Sequence, residues 1–358
     1  MENYQRLIWA DVLRIVSIFA VILIHSAAPF LVRYNQLDES TWWIGNVYDS
    51  LSRWCVPVFI MVSGSLVLGK SEDSFLWFFT QRLRKVLVPL LIWSGIYLGW
   101  ETYSDGHALE WTNLFPRVFV KPVYYHLWFL YVILGLYVLV PVLRLGLNHF
   151  STRATWLIVG LWVALSFVPP AVAYFAAIDL WQVNLNNWTG IAKSTIALSG
   201  YFVLGFLLQD VRLTPRYTVL ACALFLIGFG VTAWGTYRLT LQHQGEFQGI
   251  FYEYFSFNVL LMSATVFLVT KSLAAGTYGG ITRKERILQE MSADVLGIYL
   301  IHAMVLEALR DGMLGWQFEP LQVHAALGIP LFAALIFFLS FSAIWVLRRI
   351  PLVRPIAP

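Results

Sequence analysis

Apolar runs of about 20 residues recur along the whole chain, each long enough to cross a hydrocarbon layer of about 30 Å. Ten such runs are expected as helices, near residues 8–31, 44–69, 83–102, 124–146 and 154–176, then 194–209, 217–236, 250–271, 290–310 and 325–348. No long polar stretch separates them. The pattern predicts an all-α polytopic membrane protein of about ten transmembrane helices, forming one membrane domain over residues 1–358 with no soluble appendage.

Composition agrees with the pattern. Of the 358 residues 59% are hydrophobic and only 12% charged, against about 25% charged in a soluble domain. Several of the 16 tryptophans and 17 tyrosines fall near the ends of apolar runs, where amphipathic rings favour the headgroup zone. The net charge of +4 requires no nucleic-acid partner, because basic loops on one membrane face account for it. The first run is too long for a cleaved signal sequence and carries Asp11 and Arg14, so it is expected to remain as a helix. Cys55 and Cys222 supply no disulfide framework; on this topology they lie near opposite faces and are not expected to pair.

Basic residues set the orientation. With the N-terminus in the cytoplasm, the inner side holds Arg6, Lys70, Arg82, Arg84, Lys85, Arg144, Arg153, Arg212 and Arg216, followed by Lys271, Arg283, Lys284, Arg286, Arg348, Arg349 and Arg354. The outer side holds only Arg33, Arg117, Lys121, Lys193, Arg238 and Arg310. The positive-inside rule therefore places both termini in the cytoplasm.

Costly polar residues inside the runs are functional candidates. In DVLRIVSIFAVILIH, Arg14 and His25 are eleven residues apart, so they share one helix face about 16 Å apart. Such a pair suits the two ends of one long ligand or two stations along a pore. His25, Arg53, His126, Glu253 and His302 come from five different runs and fall at the outer level, with Glu307 nearer the surface. Arg14 falls at the inner level with Arg82, Arg84 and Lys85. Plainer roles stand beside these. His126 and His302 could be interhelical hydrogen-bonding residues, Arg53 could snorkel to the surface, and Arg14 could pair with Asp11. The basic cluster could simply face the cytoplasm. His107, His149, His243 and His324 lie in loops or at run edges and enter no site.

These residues also carry a likeness. The Arg14–His25 spacing resembles the first helix of the acyltransferase-3 family of bacterial membrane O-acyltransferases. VPVFIMVSGSLVLGK (56–70), with Ser63 and Gly64, resembles the family's second helix, and FFTQRLRKVLVPLLIW (78–93) its basic segment before the third. HLWFLYVILGLYVLVP (126–141) and GIYLIH (297–302) resemble later segments. In the basic segment the family often has two arginines separated by two residues, where this chain has Arg82 and Lys85. Lysine keeps the charge without the bidentate fork.

The resemblance implies a bacterial inner-membrane enzyme that moves an acyl group, usually acetyl from cytoplasmic acetyl-CoA, to a hydroxyl of an envelope glycan or glycolipid. On that basis Arg82, Arg84 and Lys85 attract the nucleotide phosphates and Arg14 guides the pantetheine arm. His25 serves as general base or as acyl carrier. Arg53, His126, Glu253 and His302 are candidates to hold the oxyanion or the sugar. Acetyl is the family's default; the alternative is another acyl-CoA, such as a succinyl donor whose carboxylate Arg53 accommodates, and no metal is expected. The acceptor is an exopolysaccharide, an O-antigen or a lipid-linked saccharide. The rival function is a transporter or flippase of a glycan precursor, disfavoured because the sequence shows no internal repeat and no matching pair of interrupted helices. A glycan-assembly partner without its own chemistry is a further alternative. Lipid-facing and subunit-facing apolar surfaces share a composition, so oligomeric state is not legible.

Overall fold

A computed structural model describes residues 8–69, 75–105, 121–175, 188–274 and 283–351. Arg6, Lys70, His107, Arg117 and Arg354 lie outside the described residues. Every regular element among the described residues is helical. The helices are α1 (Ile8–Leu31), α2 (Glu39–Ser52), α3 (Cys55–Val67), α4 (Phe75–Asp105), α5 (Trp128–His149) and α6 (Thr152–Phe175). They continue as α7 (Trp188–Leu208), α8 (Pro215–Gln242), α9 (Phe257–Leu273), α10 (Arg283–Arg310) and α11 (Ala325–Leu347). Among the described residues nine segments are long and apolar enough to cross a membrane, with α2 and α3 counting as one. In α6 the apolar segment is the shorter Thr152–Val168. The protein is an all-α, multi-pass membrane protein.

One departure from the expected spans matters for the site. Residues 44–69 read as one uninterrupted helix, whereas the chain breaks between Ser52 and Cys55. Pro57 explains the break: it has no N–H for the Arg53 carbonyl four residues earlier, and its ring crowds that oxygen. The ladder resumes with the Val58 N–H donating to the Trp54 carbonyl at 3.1 Å. Proline also sits inside α1 and α11. Pro29 follows His25 by four residues, and Pro330 removes the N–H due to the Ala326 carbonyl. The Tyr48 hydroxyl replaces that donor at 2.6 Å, as buried backbone in a bilayer demands.

The chain divides into two compact units, residues 1–62 with 207–342, and residues 63–206 with 343–358. In the first unit α1 packs against α2, α9 and α10, while α8 packs against α2 and α9. Gly45 lets α1 and α2 approach, since a Cβ there would overlap the Cβ of Phe30. Asp38 caps α2 by accepting from the Thr41 N–H at 2.8 Å. Hydrogen bonds from Ser40 and Thr41 hold its carboxyl down at about 2.

In the second unit α4 packs against α5, and α3 ends against α7. Gly64, in the segment likened above to a family helix, meets the Phe202 backbone so closely that any Cβ would collide with that carbonyl. Arg144 of α5 donates to the Val67 carbonyl at 2.7 Å, capping the end of α3. The Trp162 indole of α6 donates to the Ala197 carbonyl of α7 at 2.6 Å.

Candidate active site

The first unit brings four of the sequence candidates together. His25 on α1 and His302 on α10 approach with ring centroids 5.4 Å apart and planes tilted by 30°. His302 is fully buried, whereas His25 keeps partial access. Arg53, at the α2–α3 break, lies within electrostatic range of both His25 and Glu253. Glu253 follows the 3-10 turn Ile250–Tyr252 that precedes α9 and is exposed. Glu307 lies farther along α10 and is half-buried.

The tautomer of His302 follows from its partner. Its Nδ1 lies 2.6 Å from the Tyr299 carbonyl oxygen, which can only accept. Nδ1 therefore carries a proton, and in the neutral ring Nε2 holds the lone pair.

Arg53 does not snorkel. It pairs with Asp49, four residues back on the same helix, whose side chain is fully buried. Its guanidinium lies over the Tyr252 ring, 4.1 Å from the centroid, a favourable cation–π arrangement. Tyr252 is fixed in turn: its hydroxyl hydrogen-bonds the Asn46 side chain at 2.5 Å, and Ser50 donates to it at 3.1 Å. Asn46 donates to the Ala233 carbonyl of α8 at 2.9 Å. Asn46, Asp49 and Ser50 lie along one buried face of α2 at helical spacing, all fully buried. Arg53 Nε is buried and makes no hydrogen bond among the described residues. The arginine is thus held on two sides and retains an N–H for a third group. Asn46, Asp49 and Tyr252 are absent from the sequence candidates. The Asp49–Arg53 spacing of four was a readable signal; the part played by Tyr252, some 200 residues away, was not.

Arg14 lies on α1 beneath His25 as the spacing predicts. Its side chain is 36% exposed, with the expected Asp11 contact present at 3.8 Å. An ion pair that long and that accessible contributes about 0–1 kcal/mol.

The remaining candidates belong to the second unit. Arg82, Arg84 and Lys85 occupy one turn of α4, with Arg84 and Lys85 exposed and Arg82 half-buried. His126, just before α5, is 2% exposed. Its ring is enclosed by Tyr97, Tyr124 and Tyr125, with centroids at 5.1, 5.7 and 5.5 Å. Tyr97 and Tyr124 stack on each other at 4.4 Å. Cys55 is buried and Cys222 exposed, both as free thiols. Among the described residues no three His, Cys, Asp or Glu side chains group as a metal site does.

Two histidines facing each other beside a fixed guanidinium are groups that can exchange a proton and meet a developing negative charge. Comparison with known proteins gives the chain its family. Residues 7–349 match the family model described as an acyltransferase domain, so the chain belongs to the acyltransferase-3 family. It is also similar to the succinoglycan biosynthesis protein ExoH of Rhizobium meliloti (strain 1021), at 27% identity over 161 residues. That similarity covers 39% of this chain and 43% of the relative's length. No solved structure matches the chain.

Proposed function

We propose that the protein is an inner-membrane O-acyltransferase that carries an acyl group from cytoplasmic acyl-CoA to a hydroxyl of an envelope polysaccharide or glycolipid. The observation that carries this reading is the His25–His302 pair beside Arg53, in a chain whose family match is nearly complete. The succinoglycan connection of the relative supports a polysaccharide acceptor.

In the proposed reaction the acceptor hydroxyl oxygen attacks the thioester carbonyl while an imidazole takes its proton. His25 is the accessible ring and acts as the base; His302, fixed through Tyr299, orients it and shares the proton. Arg53 meets the carbonyl oxygen as it becomes an oxyanion. The C–S bond then breaks, and the CoA thiolate recovers the proton from the imidazolium. Asp49 and Tyr252 hold the guanidinium in position. Arg14, about 16 Å along α1 toward the inner face, steadies the pantetheine arm, and Arg82, Arg84 and Lys85 take the nucleotide phosphates. Both termini lie in the cytoplasm on this reading. Acetyl is the expected acyl group. A succinyl group fits if Arg53 accepts its distal carboxylate, and competition between the two donors decides.

Binding of radiolabelled acetyl-CoA to the purified protein tests the donor assignment. Saturable binding is expected in the wild type and its loss in Arg14→Ala. Folded wild-type protein that binds neither acetyl-CoA nor succinyl-CoA contradicts the reading and favours a transporter of a glycan precursor.

A further inference from the structure

One carboxylate beside the reacting centre is used neither by the fold nor by the reaction above. Glu253 is exposed, and its side chain makes no hydrogen bond or ion pair among the described residues. Its backbone, by contrast, is fixed from both sides. The Phe251 carbonyl accepts from the buried Asn258 amide at 2.6 Å, Asn46 and Ser50 hold the Tyr252 hydroxyl, and the Ser256 N–H donates to the Glu253 carbonyl at 3.0 Å. Glu253 therefore stands next in the chain to the ring that lies 4.1 Å from the Arg53 guanidinium, on a turn with little freedom to move it away.

The charges around Arg53 do not balance. Asp49 is fully buried, and its oxygens make no hydrogen bond beyond their contact with Arg53, so a whole negative charge rests on that guanidinium. Glu253 brings a second carboxylate into range of the same cation. Arg14, the other cation on this side of the reaction, is about 16 Å from His25 along α1. With both imidazoles uncharged, as the base mechanism requires, one guanidinium faces two carboxylates. The centre carries a net negative charge.

We propose that Glu253 determines which acyl groups the centre accepts, by turning away those that carry a negative charge. The inference rests on the function proposed above, in which Arg53 meets the thioester carbonyl oxygen. In that pose the distal carboxylate of a dicarboxylic acyl group lies three bonds beyond the carbonyl carbon, among charges that are already negative in sum. Arg53 has no charge to spare for it, because Asp49 and the developing oxyanion draw on the same guanidinium. Repulsion between like charges is stronger in a water-poor site than in bulk water, and a carboxylate left there without a partner also loses its hydration. A neutral acyl group of the same length meets neither cost. Glu253 thus acts on the acyl chain, whereas Arg53 and the histidines act on the thioester.

The test separates charge from length by pairing succinyl-CoA with butyryl-CoA, which has the same four-carbon chain without the carboxylate. Purified full-length protein in detergent is loaded with radiolabelled acetyl-CoA, and each unlabelled donor is titrated in as competitor. The wild type is expected to need about ten-fold more succinyl-CoA than butyryl-CoA for half displacement. Glu253→Gln is expected to narrow that ratio to about three-fold or less, while Glu253→Asp keeps it. The ratio is taken within each variant, so a general loss of donor affinity or of folded protein does not move it. Equal competition by the two donors in the wild type, or a ratio unchanged in Glu253→Gln, overturns the proposal. Tighter binding of succinyl-CoA also overturns it and gives the distal carboxylate to Arg53. Failure of the acyltransferase reading looks different: folded wild-type protein then binds none of the three donors, which removes both.

Discussion

Two histidine settings in one chain differ in what surrounds the ring. His25 and His302 stack obliquely on each other, one ring partly accessible, with a fixed guanidinium in range. His126 is closed in by three tyrosine rings, two of them stacked together. The first setting places a partly accessible imidazole beside a second imidazole and a fixed cation. The second uses an imidazole to fill an aromatic socket and tie the start of α5 to α4. The two settings differ in the charge beside the ring: a guanidinium lies in range of the first pair, and tyrosine rings surround the second.

That contrast can be broken most sharply at the two histidines. His25→Ala is expected to reduce acyl transfer by about 10²–10⁴-fold, the range lost with a general base, at an unchanged unfolding temperature. His126→Ala is expected to do the reverse, losing about 2–4 kcal/mol of stability as a large buried ring is emptied from its socket. His126→Phe should restore most of that stability, and turnover by the surviving folded protein should stay within a few-fold of wild type. A His126→Phe variant with full stability and no activity transfers His126 to the reacting machinery.

Asp49 sharpens the same comparison, since the first unit's centre depends on a buried ion pair where the second depends on ring packing. Asp49→Ala leaves Arg53 without its counter-charge and is expected to destabilise the protein by about 3–5 kcal/mol. Asp49→Asn, which keeps a hydrogen-bond acceptor, should unfold at a higher temperature than Asp49→Ala and still turn over slowly. Equal unfolding temperatures for wild type and Asp49→Ala contradict the role assigned to the pair.

Backbone contacts give smaller effects. Gly64→Ala drives a methyl group into the Phe202 carbonyl and is expected to cost about 1–3 kcal/mol, the usual penalty for overpacking, read from thermal unfolding. Tyr48→Phe removes the donor that serves the Ala326 carbonyl and should cost about 1 kcal/mol. A neutral result there would mean that the carbonyl finds another donor.

Much of this architecture is legible in the sequence because a bilayer imposes simple rules. The first run, expected at 8–31, is α1 itself, Ile8–Leu31. The Arg14–His25 spacing places both residues on that helix as read. The α2–α3 break was missed because hydropathy is continuous across it. Its signal is RWCVP (53–57), where the proline stands four residues after the arginine, as Pro29 does after His25 in HSAAP. Asp49 and Arg53 at a spacing of four were equally readable. The support from Tyr252 and Asn46 was not, because it comes from packing between segments about 200 residues apart, which no local pattern encodes. For His126 the position just before α5 was legible, but the tyrosine socket depends on Tyr97 of α4.

The most direct test of the central claim is acyl transfer from labelled acyl-CoA to a polysaccharide or lipid-linked acceptor by purified protein in proteoliposomes. Wild type, His25→Ala and His126→Phe are compared at matched unfolding temperature. The account predicts turnover in the wild type and His126→Phe and its loss in His25→Ala; wild-type turnover by folded His25→Ala protein would contradict it.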